Sequence, residues 1–265
     1  MSRQRGTTCK RSRRATAHHR SLRYESLEDR RMLAIATVVN NTDEGNGDTW
    51  WIAALNADTG RGGISLREAV IAENNTPGKD DVTFAIATPP PLITLSGIDI
   101  DVTDSVTING PGAGALTVTG GNQSRIFNVL GASDTDPIEV EIIGLTLTEG
   151  LANQGGAVRV NNSVFVMDSV SLFANVADEG AGLWIKVGAL ATADLFNVTM
   201  TSNSTSPNGE GGGFFADVDG TFTIQDSLIT GNNADQGGGG YFQNQGITTF
   251  LRNTVAGNRA TSDAG

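Results

Sequence analysis

Arg159, Trp184, Phe215 and Phe242 stand behind four glycine-rich stretches, "NQGGAVRV", "DEGAGLWIK", "GEGGGFFAD" and "DQGGGGYFQ". A guanidinium and aromatic rings recurring at one place along a chain suit a sugar ring or a protein partner, because contiguous exposed apolar surface marks contact. Asp217 and Asp219, on one turn in "FADVDG", could lend oxygens to a Ca2+ site. Catalytic groups are harder to find. The acidic residues of this region, among them Asp178, Glu179, Asp194, Glu210 and Asp226, fall mostly at turns. Glycosidic hydrolysis needs two carboxyl groups at a set separation, and spacing singles out no such pair. His18 and His19 have no further histidine with which to complete a metal site.

The elements that position these residues repeat. Counting from the first glycine of each triplet, Gly155, Gly180, Gly211 and Gly238 are 25, 31 and 27 residues apart. Asn175, Asn203, Asn232 and Asn258 form a second column, at spacings of 28, 29 and 26. Three residues before each asparagine lies an apolar side chain: Leu172, Met200, Ile229 and Val255. A period in the twenties marks a solenoid or array. Short β-rich runs follow each glycine corner, and alternate side chains of a strand face opposite ways. Val158, Leu183, Phe214 and Tyr241 then share one face, expected inward, and Arg159, Trp184, Phe215 and Phe242 share the other, expected outward. The asparagines fit an internal ladder of amides hydrogen-bonded from coil to coil. Glycine supplies a corner where left-handed backbone angles are needed.

Composition narrows the function classes. The chain has 265 residues, 34 of them glycine, and a net charge of −11. Residues 1–34 carry ten basic and three acidic side chains, which leaves eight basic and 26 acidic in the rest. So acidic a body repels nucleic acid and anionic lipid. No apolar run reaches the length of a membrane-spanning helix. The single cysteine, Cys9, lies in the basic leader, so the body has no disulfide.

One helix signal is persuasive. In "GGISLREAVIAENNTPGKDD", Ser65 and Glu68 make a capping box, Leu66, Ala69, Val70 and Ile71 an apolar face, and Asn74, Asn75, Pro77 and Gly78 a stop. A helix ahead of a solenoid covers the apolar end of its first coil. "ISLREAVIAEN" resembles the CSLREA motif that opens many bacterial right-handed β-helix proteins, with Ile64 where that family has cysteine. "GGAV" at 155–158 is similar to half of the repeat of polymorphic outer membrane proteins, although "FAN" at Phe173 is one residue short of its other half. "SLEDRRMLA" resembles the leader element of large secreted and surface proteins of planctomycetes.

These observations predict an all-β chain: a single-stranded right-handed parallel β-helix, a pectate-lyase-like solenoid of about six coils with one short N-terminal capping helix. The organisation expected is a basic leader over 1–36, disordered or an export signal, a cap over 37–80 with its helix near 64–74, and the β-helix over 81–265. The chain stops where another glycine corner is due, which reads as part of a longer protein. The resemblances imply a non-catalytic, adhesin-like or structural protein that is extracellular, at the cell surface or in the outer membrane. Its partner would be a polysaccharide or a cell-surface molecule, and no cofactor beyond Ca2+ is expected. The alternative is a carbohydrate-active enzyme, a polysaccharide lyase or glycoside hydrolase, on the same fold.

Overall fold

The computed structural model describes residues 33–87, 91–133, 135–244 and 246–262. The export-signal element, Cys9 and both histidines lie outside the described residues. What is described is a right-handed parallel β-helix of about six turns. Four sheets run along it. The first comprises Ile35–Val38, Asp80–Phe84, Val106–Asn109, Ile138–Ile143, Ser163–Asp168, Thr192–Phe196, Thr221–Gln225 and Ile247–Leu251. The second runs from Leu92–Thr94 through Ser171–Phe173 and Thr199–Thr201 to Thr254–Ala256. The third holds Val176–Glu179, Ser204–Glu210, Asn233–Ala234 and Arg259–Ala260, and the fourth runs from Ile100–Val102 through Leu183–Val187 and Phe214–Val218 to Gly240–Asn244. The early coils pass from the first sheet to the second and then the fourth; from Val176–Glu179 onward the third sheet is visited between the second and the fourth, and each coil then re-enters the first one strand higher.

Like residues stack on like. In the second sheet Ile93, Val118, Leu147, Leu172, Met200, Ile229 and Val255 fall in one register line. All but Val255, in the last described coil, are buried. Each such side chain contributes roughly 1.5–3 kcal/mol by leaving water.

Beside that line runs the amide ladder. Asn175 Nδ2 donates to Asn203 Oδ1 at 2.9 Å, Asn203 to Asn232 at 3.0 Å, and Asn232 to Asn258 at 2.9 Å. The same Oδ1 atoms accept the backbone N–H of the asparagine below, each at 3.0 Å. Ala174, Ser202, Gly231 and Gly257, one residue before each asparagine, have φ between 53° and 64°, the left-handed turn that points the amide inward.

The glycine columns divide their work. Gly155, Gly180, Gly211 and Gly237 have φ of 62°, 57°, 71° and 61°, so the corner glycine of the last coil is Gly237 and not Gly238. Gly240 has a different reason: a Cβ there would sit 2.2 Å from the Phe214 ring, which fills the inward slot. Four glycines in a row therefore serve a corner, a close backbone passage against Arg259, room for the Asn258 amide of the ladder and a hole for an aromatic ring.

The cap differs from expectation in two ways. Helix α2, Leu66–Asn74, carries the full capping box: Ser65 Oγ accepts from Glu68 N, and Glu68 Oε2 accepts from Ser65 N at 2.9 Å. Ahead of it lies a second helix, α1, Ile52–Ala57, held by buried Ile52 and Leu55. Its six residues show too short a periodicity to be legible in sequence. Ile35–Val38, at the boundary of the expected leader, forms a strand paired with Asp81–Phe84, and Ala36 is buried in the core.

Candidate functional site

A row of stacked side chains lies where the third sheet turns through its glycine corner into the fourth. Arg159, Trp184, Phe215 and Tyr241 pair in register and project outward. The Arg159 guanidinium lies 5.0 Å from the centre of the Trp184 ring. Trp184 and Phe215 stack at 6.1 Å and 2° from parallel, and Phe215 stacks on Tyr241 at 5.5 Å.

This corrects the expected faces. Phe242 is in register with Ala216 and Ile185 and belongs to the inward set, where it packs edge-on to Phe214 at 5.1 Å. Its exposure of 38 % comes from its place in the last described coil. Tyr241 takes the outward place. The slip of one residue follows from counting the corner at Gly238 instead of Gly237. Trp184 and Phe215 are also only 7 % and 4 % exposed, because each ring's faces are covered by the residues above and below. Edges, not faces, meet solvent.

Beside the stack runs a polar column. Gln154 bridges to Glu179, Glu179 pairs with Glu210, and Glu210 bridges to Gln236. Each of these residues immediately precedes its corner glycine, a column visible in sequence once the corner is set at Gly237. Glu179 Oε2 accepts from Gln154 Nε2 at 2.9 Å and from the Trp184 indole N–H at 3.0 Å. Glu210 sits one strand above, about 4.8 Å away along the backbone. Burial, and then the charge of Glu179, raise its pKa above the ordinary carboxylate value. Arg125, Asn153, Gln154, Arg159, Asp178 and Glu179 line a cleft of about 480 Å³ at the lower end of this column.

The two arginines are held differently. Arg125 donates to the carbonyls of Gln154 and Gly155 and pairs with Asp99 at 2.9 Å. Burial lowers its pKa, Asp99 opposes that, and Arg159 adds to the lowering. Arg159 donates only to neutral groups, Gln154 Oε1 at 3.2 Å and Asn128 Oδ1 at 3.4 Å. Its charge meets no carboxylate partner among the described residues. The cleft can therefore offer guanidinium, amide and carboxylate groups to a ligand rich in hydroxyls.

Asp217 and Asp219 are not brought to a cation site. Lys186 Nζ lies 3.5 Å from Asp217 Oδ2, and Asp219 is exposed on the following turn. Among the described residues no three acidic, histidine or cysteine side chains gather as a metal would require. The asparagines of the ladder are internal and structural. No helix among the described residues is long and apolar enough to cross a membrane. Comparison with protein-family models, curated proteins and solved structures finds no significant match.

Proposed function

We propose that this protein is exported and acts at the cell surface or outer membrane as a non-catalytic binding solenoid, contacting a polysaccharide along the corner between its third and fourth sheets. The observation that carries the reading is Arg159, a cation with neutral partners only, braced on Trp184 at the mouth of a polar cleft. A rigid stack of coils holds such a site without loop rearrangement, and preorganisation lowers the ordering cost of binding. The leader's resemblance and the acidic body support a surface role that avoids nucleic acid.

The test is electrophoresis through gels containing acidic or neutral polysaccharides. Retardation of the native protein, lost in Arg159→Ala with an unchanged thermal melt, is the expected result. Equal mobility of the two proteins in every gel rejects the cleft. Cell fractionation tests the location, and recovery from the soluble cytosol counts against export.

A second reading, a carbohydrate-active enzyme, is favoured by one observation: Glu179 and Glu210 face each other from adjacent coils in unlike environments, one beside two N–H donors and one beside a like charge. A carboxyl group whose pKa burial and then a like charge raise, set beside a second carboxyl group, is raw material for acid–base catalysis. Release of reducing ends or unsaturated sugars from a polysaccharide, abolished in Glu210→Gln, would establish it over the binding reading.

A further inference from the structure

Two of the chain's three tryptophans lie far from the aromatic stack. Trp50 and Trp51 precede helix α1 and are 75 % and 53 % exposed. With Thr49 and Asn75 they line a concave surface of about 560 Å³. The segment that bears them is pinned. Ile52 N donates to Thr76 Oγ1 at 2.9 Å, Thr76 Oγ1 donates to Ala72 O at 2.7 Å, and Asn75 Nδ2 donates to Thr49 O at 2.9 Å. Buried Ile52 and Leu55 anchor the next turn. Two adjacent indoles of this exposure on a pinned backbone make a contiguous apolar patch, and such patches mark contact sites.

We propose that the Trp50–Trp51 concavity is a second binding site, and that it takes neutral sugar rings of a glycan chain. A pyranose presents C–H bonds on its faces and hydroxyls around its rim. An indole face with an amide and a hydroxyl beside it meets both needs. Trp184 and Phe215 cannot do this, because their ring faces are already covered. Charge and area decide the occupant. The cap segment 37–80 carries seven acidic and three basic residues, which disfavours an anionic membrane or an acidic sugar. Two aromatic side chains of roughly 150–250 Å² each fall well short of the roughly 1,200 Å² that a stable protein interface buries. The proposal rests on and deepens the glycan-binding reading but uses residues of the cap that the cleft does not share, so one site can fail while the other holds.

The experiment uses the full chain carrying Trp184→Phe, in which all tryptophan emission comes from Trp50 and Trp51. Hexasaccharides of β-1,4-glucan, β-1,3-glucan, mannan and xylan are titrated in, with hexagalacturonate and vesicles of phosphatidylcholine and phosphatidylglycerol as controls. A saturable blue shift with at least one neutral sugar and none with hexagalacturonate is expected. In that chain Trp50→Ala and Trp51→Ala should each weaken the binding at least tenfold with unchanged melting, and made in the native chain they should leave the Arg159-dependent retention in gels of acidic polysaccharide unchanged. Silence with all four neutral sugars overturns the proposal. So does a shift driven by vesicles, which assigns the site to a membrane, or by raising protein concentration alone, which assigns it to a second copy of the chain.

Discussion

Asn203 donates from Nδ2 to Asn232 Oδ1 at 3.0 Å while its own Oδ1 accepts two hydrogen bonds from Asn175. That single side chain ties three successive coils together. It also donates to the carbonyl of Leu172 at 2.9 Å, so no polar atom of the buried amide is left without a partner. Stacking of this kind converts a weak local preference into a register shared by the whole solenoid.

Asn203→Ala would strand the backbone N–H of Asn175 in the interior and take from the carbonyl of Leu172 its side-chain donor. Each unsatisfied buried group costs about 1–3 kcal/mol, so a loss of about 3 kcal/mol is expected in urea denaturation. Asn258→Ala, in the less covered last coil, should cost less than half as much. Equal losses at the two positions would show that the ladder's worth does not depend on burial.

The left-handed residues before the ladder make an opposite pair of predictions. Ala174 adopts φ 53°, a conformation that costs an L-residue about 1 kcal/mol. Ala174→Gly should therefore raise stability slightly, by about 0.5–1 kcal/mol after the entropy of the unfolded chain is counted. Gly211→Ala should do the reverse and strongly. It keeps φ at 71° and would place a Cβ 2.2 Å from the carbonyl of Phe214. Thermal melts of the two variants check both signs.

Glu73 gives the fold a pH dependence. Its carboxyl is fully buried and neither oxygen has a hydrogen-bond partner in the described structure. Burial first, then the charges of Asp104 and Asp80, push its pKa from an ordinary 4.5 up to about 9. The folded state thus holds this proton more tightly than the unfolded chain does. Stability is unaffected below about pH 4.5, falls as pH rises towards about 9, and levels off above it. The slope is at most about 1.4 kcal/mol per pH unit from this one group. Glu73→Gln should remove that slope between pH 5 and 9 and leave the acid side unchanged. Urea titrations at several pH values test it.

Glu210 should behave in the same direction at the outer corner. Its pKa, raised by burial first and then by the charge of Glu179, means that its ionisation opposes folding as pH rises above the ordinary carboxylate range. Glu179→Gln removes the neighbouring charge and should bring the Glu210 titration back towards its ordinary value, read by NMR of the side-chain carboxyl. An unmoved titration would mean that burial alone causes the shift.

The repeat, its asparagine ladder and the helical cap were legible in the linear chain, because each is written in local chemistry that recurs or caps. Leu172, Met200, Ile229 and Val255 announce a shared line, and Ser65 with Glu68 announces a helix start, whatever the rest of the molecule does. The faces of the last coil were not legible. Gly237, Gly238, Gly239 and Gly240 are chemically identical, so nothing local marks which of them turns the corner. Only the pairing of Phe214 with Gly240 across coils settles it, and with it the exchange of Tyr241 and Phe242 between outside and inside.

Surface sites depended still more on assembly. Glu179 and Glu210 are 31 residues apart in the chain and become neighbours only because one coil lies on another. Trp50 and Trp51 belong to no repeat, and local sequence gives no reason for them to be less buried than Trp184. Sequence determined the winding of this protein, since winding follows from short-range patterns that every coil restates. Tertiary structure decided which side chains meet water and which meet each other, since burial is a property of what the rest of the chain leaves uncovered.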